Sequence, residues 1–398
     1  MVGGIPRTAD SHHLYIHVPF CRLVCAYCDF VTVGGRGDAI PRYVAAMHTE
    51  LALRPSPGRL RTIYFGGGTP SLLPVDAVEG LIRTALDRWV GNPEEITMEA
   101  NPSGRETPDW TGLRMAGVTR ISLGAQSLRD ADLRALARGH TASEVRAAFR
   151  DARAAGFDNV SLDLIYAVPG QTLGSWRSVL RRAVAMQPDH LSLYALQLAM
   201  APDEWAAAPR PGALRWRRRV AARQDDGLAA AQYAVAEEAL EAAGYRHYEL
   251  SSWARPGRES RHNGAYWERR PYTGLGAGAH SFDGGMRSWN VRDLDRFMAV
   301  TEAGERPVAG SERLDEPTAA FEAMALGLRR VEGMSRAAFA REFGDDPTAR
   351  FGPALNQSVD AGLLAIDADR LSLTARGRLL ASEVLIGLLP DQADAASA

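Results

Sequence analysis

From residue 14 onward, short runs of apolar and β-branched residues alternate with longer segments in which apolar residues recur at helical spacing. The short runs predict buried strands, and the longer segments predict amphipathic helices. The predicted strands span residues 14–20, 62–65, 95–99, 120–125, 159–165 and 190–196, and the predicted helices span about 38–54, 74–88, 106–116, 129–155 and 172–186. Because regular alternation of strand and helix gives right-handed βαβ units, we expect a parallel α/β sheet, either covered on both faces or closed as part of a barrel.

Polar residues gather where these predicted strands end. They are Gly67, Gly68, Thr69, Glu99, Asn101, Gln126, Ser127, Asp163 and Gln197. In barrel-like α/β folds, ligands bind at the C-terminal ends of the strands. Any one of these residues alone is also a common turn or cap former, but their recurrence over five strands predicts a ligand site at this edge.

Beyond residue 198 the alternation stops. A Pro- and Ala-rich connector (202–211) precedes a long amphipathic helical stretch (213–244), whose Arg215, Arg217, Arg218 and Arg219 we expect to form a solvated face. Helical segments near 315–330, 335–343 and 350–362, a hairpin at 363–374 and a last helix at about 375–388 predict a small winged-helix-like unit. We therefore expect a disordered N-terminus (1–13), a core (14–200), an extension of the barrel (201–311), a C-terminal domain (312–390) and a disordered tail (391–398).

Composition narrows the class of protein. The 398-residue chain has a formal net charge of −2, which argues against a nucleic-acid partner. Its three cysteines lie within eight residues, so they do not form a disulfide framework and favour a reducing compartment. No apolar run resembles a signal peptide or reaches the roughly 18–20 residues of a membrane helix. We therefore expect a cytoplasmic protein, and a peripheral contact with a membrane stays open.

Cys21, Cys25 and Cys28 directly follow the first predicted strand. A [4Fe–4S] cube usually takes four thiolates, so three thiolates leave one iron open. An open iron can chelate the amino and carboxylate groups of S-adenosylmethionine, and a reduced cluster can then release a 5′-deoxyadenosyl radical from the sulfonium. Zinc is the alternative, with His17 as a fourth ligand, but the C-x3-C-x2-C spacing fits zinc poorly.

This cysteine spacing after a first strand, with Tyr27 as the aromatic residue before the third cysteine, resembles the signature of the radical SAM superfamily. Other motifs resemble the oxygen-independent coproporphyrinogen III oxidase group: YFGGGTPSLL (64–73), EANP (99–102), RISLGAQS (120–127), ARGH (137–140), SLDLIYAVPGQT (161–172) and LSLYALQL (191–198). The resemblance runs from about residue 14 to residue 390. It implies a partial (β/α)6 TIM-like radical SAM barrel with a smaller C-terminal α+β, winged-helix-like domain.

The resemblance also implies which residues bind S-adenosylmethionine. They are Tyr15, Tyr27, Gly67, Gly68, Thr69, Glu99, Gln126, Arg138 and Asp163. Glycines allow close approach of the backbone to the methionine moiety. The carboxylates would accept hydrogen bonds from ribose hydroxyls or the amino group, and Arg138 suits a carboxylate because its guanidinium binds in bidentate fashion. A surface helix arginine is the alternative interpretation of Arg138.

Two subfamilies share these motifs, and the residue two positions after the third cysteine distinguishes them. The oxidases have a fourth cysteine there, whereas this chain has Phe30, as the HemW-type heme chaperones do. The segment from His262 to Trp267 matches the H-N-x-x-Y-W motif of that second group. The resemblance therefore implies heme as a ligand, with His262 and Tyr266 at its site and His280 as an alternative ligand. The nearby GLGAG segment (274–278) predicts a close-packed loop, because no Rossmann unit precedes it.

The resulting hypothesis is a heme chaperone that binds a [4Fe–4S] cluster, S-adenosylmethionine and heme and delivers heme to an acceptor protein. The sequence names neither the acceptor nor the electron donor, and it leaves open the oligomeric state and whether S-adenosylmethionine is cleaved. Two alternatives stay: an oxygen-independent coproporphyrinogen III oxidase that decarboxylates propionates, and another radical SAM enzyme such as one that modifies tRNA. Phe30 weighs against the oxidase.

Overall fold

The computed structural model describes residues 11–104, 106–196, 198 and 212–389. Four expectations fall wholly or mostly outside these ranges: most of the disordered N-terminus, Gln197, the connector at 202–211 and the disordered tail. None of the helices in the described ranges is long and apolar enough to span a membrane.

The first half of the described chain alternates strands and helices as predicted. In chain order it contains β1 (Ser11–Val18), β2 (Phe20–Cys21), β3 (Val33–Gly34), α1 (Ile40–Leu53), β4 (Arg59–Gly67), α2 (Val75–Arg88), β5 (Glu95–Ala100), α3 (Trp110–Met115), β6 (Arg120–Gln126), α4 (Asp130–Ala135), α5 (Ala142–Ala154), β7 (Val160–Tyr166), α6 (Leu173–Ala185) and β8 (His190–Ala195). The second half adds α7 (Ala213–Ala221), α8 (Asp226–Ala242), β9 (Arg246–Glu249), β10 (Ser252–Ala254), α9 (Arg261–Trp267), β11 (Tyr272–Leu275), β12 (His280–Phe282), β13 (Met286–Asn290), α10 (Leu294–Glu302) and β14 (Val308–Arg313).

All of these strands except β2 and β3 form one 12-stranded sheet in the order β14-β13-β12-β11-β1-β4-β5-β6-β7-β8-β10-β9, and β2 pairs with β3 separately. The six predicted strands pair in parallel from β1 to β8, and β11 joins as a seventh parallel strand beside β1. The remaining strands at both edges pair in antiparallel fashion. The α/β class and the partial (β/α)6 barrel are therefore confirmed.

The prediction of disorder up to residue 13 is wrong for its last three residues, because β1 already begins at Ser11. His12 and His13 are buried, and their rings bond the hydroxyls of Thr273 and Thr62, each at 2.8 Å. Two polar side chains that bond hydroxyl groups on the neighbouring strands β11 and β4 thus extend a strand whose apolar pattern starts only at residue 14.

Two stretches predicted as single helices are each divided in two. The stretch 129–155 contains α4 and α5, because Thr141 starts α5 with a capping box that it shares with Glu144. The stretch 213–244 contains α7 and α8, because the Asp225 carboxylate accepts the N–H of Leu228 at the start of α8. In both cases a local side-chain cap outweighs the continuing apolar periodicity.

The C-terminal unit has its own small sheet and core. It contains α11 (Glu316–Gly327), β15 (Met334–Ser335), α12 (Arg336–Phe343), α13 (Pro347–Asp360), β16 (Leu364–Ile366), β17 (Arg370–Leu373), α14 (Ala375–Leu379) and α15 (Ala381–Gly387). The predicted hairpin is confirmed as the antiparallel pair β16–β17, and β15 adds a third strand. Met324, Leu328, Phe339 and Leu371 belong to a buried cluster separate from that of the barrel.

The GLGAG segment is a close-packed loop, as expected. Gly276 has a φ of +96°, and a Cβ there would lie 2.4 Å from the Tyr43 hydroxyl and 2.6 Å from the His17 carbonyl oxygen. The same hydroxyl donates to that carbonyl at 2.9 Å and accepts the N–H of Ala277 at 2.9 Å. The loop therefore connects β11 to α1 and to the end of β1.

Candidate cofactor site

The cysteine loop (residues 21–28) begins at β2, just beyond the C-terminal end of β1. Its three cysteines are free thiols of intermediate exposure. The Thr69 hydroxyl lies 3.6 Å from Cys21 Sγ, and Arg138 Nη1 donates to Cys25 Sγ at 2.8 Å. The loop therefore faces the same edge of the sheet as the GGGT and ARGH motifs, as the sequence predicted.

The donor set at this loop fits an iron–sulfur cube better than a zinc ion. The His17 ring, considered above as a zinc ligand, bonds the Tyr15 hydroxyl at 2.9 Å and the Val31 carbonyl at 2.7 Å, so both its nitrogens are engaged. Among the described residues, no group of three or more His, Cys, Asp or Glu side chains is placed to hold one metal ion. In a cube each thiolate binds its own iron. Because burial raises the pKa of Cys21 to about 12, the thiolate form needs a cation such as iron beside it.

The glycine loop (Gly67 and Gly68), at the end of β4, leaves no room for side chains. Gly67 has a φ of +114°, and a Cβ there would lie 2.5 Å from the His17 ring. A Cβ on Gly68 would lie 2.7 Å from the Phe20 carbonyl oxygen. Only glycine permits this approach of β4 to the end of β1 and to Phe20, and the buried Thr69 continues it by donating its N–H to Phe20 O at 2.8 Å.

Two carboxylates point into the barrel, one from β5 and one from β7, the strands on either side of β6. Glu99 Oε1 accepts from the Tyr64 hydroxyl at 2.8 Å, and its Oε2 accepts from the Gly67 N–H at 3.0 Å. Burial raises the pKa of Glu99 to about 7, although both hydrogen bonds oppose the rise. Burial also raises the pKa of Asp163, whose oxygens accept from the Ser122 hydroxyl at 3.1 and 2.9 Å. Each carboxylate keeps capacity to accept further hydrogen bonds from a ligand.

Gln126 and Arg138 bring further polar atoms to this site. Gln126 ends β6 in a left-handed conformation (φ 55°), beside a shift in the register with β7. Within the described chain, Gln126 Oε1 and Arg138 Nε are buried without a hydrogen-bond partner. Arg138 is not a surface arginine, because its Nη2 also donates to Asn101 at 2.7 Å. Buried groups of this kind are rare in folded proteins, and a polar ligand would satisfy both.

The two tyrosines expected at the cofactor border this site. The Tyr15 ring stacks 6.1 Å from Tyr64 inside the barrel. The Tyr27 ring, in the cysteine loop, lies 6.3 Å from Trp216 of α7. The structure thus brings together all nine residues that the resemblance implied for S-adenosylmethionine with the three cysteines.

Two further residues of this site, Ser122 and Arg217, are not predicted by the sequence. Ser122 lies beside Ser161 across β6 and β7, and Ser192 lies beside Asp163 across β7 and β8. Three successive strands, β6, β7 and β8, each carry a serine close to Asp163, and this recurrence in the sequence could have indicated a polar layer around that carboxylate. The role of Arg217 could not be predicted in this way, because the sequence of its helix is typical of a solvent-exposed face.

The H-N-x-x-Y-W helix α9 lies at the other end of the barrel. The N–H groups of Arg261 and His262 each donate to the Glu95 carboxylate at 3.1 Å, at the very start of β5. The buried His262 ring bonds the Thr62 hydroxyl at 2.7 Å through Nδ1 and the Tyr266 hydroxyl at 2.9 Å through Nε2. Since strands advance about 3.3 Å per residue, Thr62 and Gly67 of β4 are separated by roughly 16 Å.

A cavity of about 420 Å³ adjoins the outer side of α9. Its lining comprises Tyr266, Trp267, Arg269, Arg270, Tyr272, Phe282, Arg287, Glu322, Ala325 and Leu326. Arg287 of β13 pairs with Glu322 of α11, so the barrel extension and the C-terminal unit share this wall. His262 is not among the lining residues, and the exposed His280 stacks on Trp289 instead.

Comparison with known proteins gives two family matches. The radical SAM superfamily model matches residues 15–183, and the HemN C-terminal domain model matches residues 314–380. The heme chaperone HemW of Mycobacterium tuberculosis is 37% identical, over 97% of this chain and 97% of its own length. That of Escherichia coli is 34% identical, over 94% of this chain and 96% of its own length. The structure of coproporphyrinogen III oxidase (HemN) from Escherichia coli superposes with a TM-score of 0.81 over 96% of this chain and 91% of its own, at 22% identity, and shows the fold alone.

Proposed function

The chain belongs to the heme chaperone HemW family within the radical SAM superfamily, and from that membership we propose that it binds a [4Fe–4S] cluster, S-adenosylmethionine and heme, and passes heme to an acceptor protein. The observation that best supports this function is the aromatic cavity against the H-N-x-x-Y-W helix. In this proposal the protein works in the reducing cytoplasm, where its thiols stay available for cluster assembly.

The residues at the C-terminal ends of the strands, beside the cysteine loop (the cysteine edge), have different roles in binding. Cys21, Cys25 and Cys28 hold the cluster, whose open iron supplies a chelation site and an electron for S-adenosylmethionine. The glycine loop admits the methionine moiety. The nine cofactor residues keep their implied roles: the carboxylates of Glu99 and Asp163 accept hydrogen bonds, and Gln126 and Arg138 each supply a buried polar atom that has no partner among the described residues.

The heme is proposed to bind in the cavity beside α9. Four aromatic side chains supply flat apolar surface for a porphyrin face, and arginines suit its carboxylates. The volume falls in the range of roughly 300–1,000 Å³ typical of ligand pockets. Tyr266 lines the cavity and also bonds His262, so ligation of heme iron by His262 requires its Nε2 to exchange the Tyr266 hydroxyl for iron.

Heme titration of the anaerobically reconstituted protein, with and without S-adenosylmethionine, tests this proposal. His262→Ala and Tyr266→Phe should weaken heme binding while the cluster absorption is unchanged. His280→Ala is the matched control, because that ring lies outside the cavity. If all three variants bound heme with the affinity of the wild-type protein, the heme would have to bind elsewhere and the proposed site would be wrong.

A second incubation tests the function itself. The reconstituted protein is given coproporphyrinogen III and a reductant, and we expect no protoporphyrinogen. Phe30, which stands where the oxidases have a fourth cysteine, is 66% exposed two residues after the cysteine loop. Formation of protoporphyrinogen would contradict the chaperone proposal, and tight RNA binding at low salt would favour a modifying enzyme.

A further inference from the structure

Helix α7 lies against the cysteine loop, and one of its side chains holds the backbone of the loop. Arg217 Nε donates to the Ala26 carbonyl at 2.9 Å. Its Nη2 donates to the Cys28 carbonyl at 2.9 Å and to Asp29 Oδ1 at 2.6 Å. These acceptors lie on both sides of the last cysteine, so one guanidinium fixes the backbone from Ala26 to Asp29.

This contact distinguishes Arg217 from the other arginines of α7. Only 12% of its side chain is exposed, whereas Arg215, Arg218 and Arg219 are exposed. The expectation of a solvated face is therefore wrong for Arg217. Arg217 is buried against carbonyl oxygens of the loop, so its side chain makes a specific contact there instead of facing solvent.

Helix α7 is itself anchored beside the loop. The Trp216 indole N–H donates to the Ala135 carbonyl at 3.0 Å, at the end of α4. Val220 of α7 belongs to an apolar cluster that also contains Leu136, Ile165, Val168 and Leu196, with Tyr27 and Trp216 packed against it. Because the backbone that bears Arg217 is fixed by neighbouring residues, little freedom is lost when its guanidinium bonds the loop.

We propose that Arg217 is a positioning residue for the iron–sulfur cluster, which holds the Cys25–Cys28 half of the loop in its binding conformation and sets the charge beside the cluster. The inference rests on the cluster binding proposed above. Hydrogen bonds from a charged donor are about twice as strong as neutral ones. Charge and hydrogen bonding around a cluster also set its reduction potential.

Removal of Arg217 should therefore have two separable effects. The first is mechanical: two carbonyls lose their donor, and the half-loop that contains Cys28 is released. The second is electrostatic: the Asp29 carboxylate loses its partner and stays beside the cluster as an uncompensated negative charge. A negative charge disfavours the reduced cluster, so the midpoint potential should become more negative.

The test compares anaerobically reconstituted Arg217→Gln with Arg218→Gln, which removes the same charge from an exposed position of the same helix. Iron and sulfide content, the rate of iron loss to a chelator and the midpoint potential are measured. Arg217→Gln should lose iron about tenfold faster than the wild-type protein and Arg218→Gln, which corresponds to about 1.4 kcal/mol. Its potential should shift to more negative values, and that of Arg218→Gln should not.

Two further variants separate the effects. Arg217→Gln/Asp29→Asn restores the charge balance, so its potential should return toward wild type while iron loss stays fast. Arg217→Lys keeps the positive charge but cannot make the contact through two nitrogens. Its midpoint potential should therefore lie closer to that of the wild-type protein than its rate of iron loss does. It also serves if Arg217→Gln assembles no cluster. Unchanged iron loss and potential in folded Arg217→Gln would overturn the inference, whereas failure of the wild-type protein to assemble a cluster would overturn the proposed function.

Discussion

Replacing Glu99 with Gln should stabilise the cofactor-free protein at neutral and alkaline pH. Burial raises the pKa of Glu99 from its ordinary value of 4.5 to about 7. An acid whose pKa is raised by folding contributes most to stability below pH 4.5, and this contribution is lost as the pH rises through 7. At about 1.4 kcal/mol per pKa unit, the wild-type protein loses about 3 kcal/mol over this interval, and the Gln variant does not.

The geometry allows Gln to fill this position. Its amide oxygen can accept the Gly67 N–H, which bonds Glu99 Oε2 at 3.0 Å in the wild-type protein. Its NH2 group can donate to the Tyr64 hydroxyl, which reverses the hydrogen bond that Tyr64 now donates to Oε1. Both contacts are therefore kept, and the stability difference isolates the cost of the buried charge.

The assay is urea unfolding of the cluster-free protein at pH 5 and pH 8. We expect Glu99→Gln and wild type to differ little at pH 5 and by up to about 3 kcal/mol at pH 8, with the variant more stable. Glu302→Gln is the control, since Glu302 is half-exposed and paired with Arg42. The same variant should bind S-adenosylmethionine more weakly, the usual cost of a stabilised binding site. A variant less stable than wild type at pH 8 would refute the reasoning.

Three further predictions concern the same edge of the barrel. Gly68→Ala should destabilise the fold by about 1–3 kcal/mol in urea unfolding, because its Cβ meets backbone; Gly139→Ala, with nothing within 4 Å, should not. The Ser122 hydroxyl, which lies within hydrogen-bond distance of both Asp163 oxygens, lowers the pKa of that carboxyl. Ser122→Ala should therefore raise this pKa, and the onset of S-adenosylmethionine binding should move to higher pH in a titration. Cys21→Ser should abolish the cluster absorption but leave heme affinity unchanged, since α9 lies at the opposite end of the strands; equal loss of both would contradict that separation.

The cysteine edge could be predicted from the sequence because its residues follow strands that are visible as apolar runs. Glu99, Gln126 and Asp163 end or lie within such runs, and parallel strands bring those positions to one edge without further information. The glycines could also be predicted, because a close approach between two backbone segments requires a residue without a side chain.

The opposite end could not be predicted in this way. His262 bonds Thr62, which lies 200 residues earlier, and this pairing depends on how α9 enters the barrel rather than on any local pattern. Arg217 bonds the cysteine loop from 188 to 191 residues away, through a helix whose arginines all look alike in sequence. Long-range contacts made by common residue types leave no periodic signal.

Strand β4 unites the two ends of the barrel. Thr62 bonds His262 at 2.7 Å, the Tyr64 ring stacks 5.0 Å from the His262 ring, and the Tyr64 hydroxyl bonds Glu99 at 2.8 Å. A ligand that displaces His262 therefore acts on a side chain that also contacts the carboxylate at the cofactor edge. Since such coupling is reciprocal in free energy, any factor by which S-adenosylmethionine changes heme affinity must equal the factor by which heme changes S-adenosylmethionine affinity. Under the proposed function, we therefore expect S-adenosylmethionine bound at Glu99 to change heme affinity through β4 without a radical reaction.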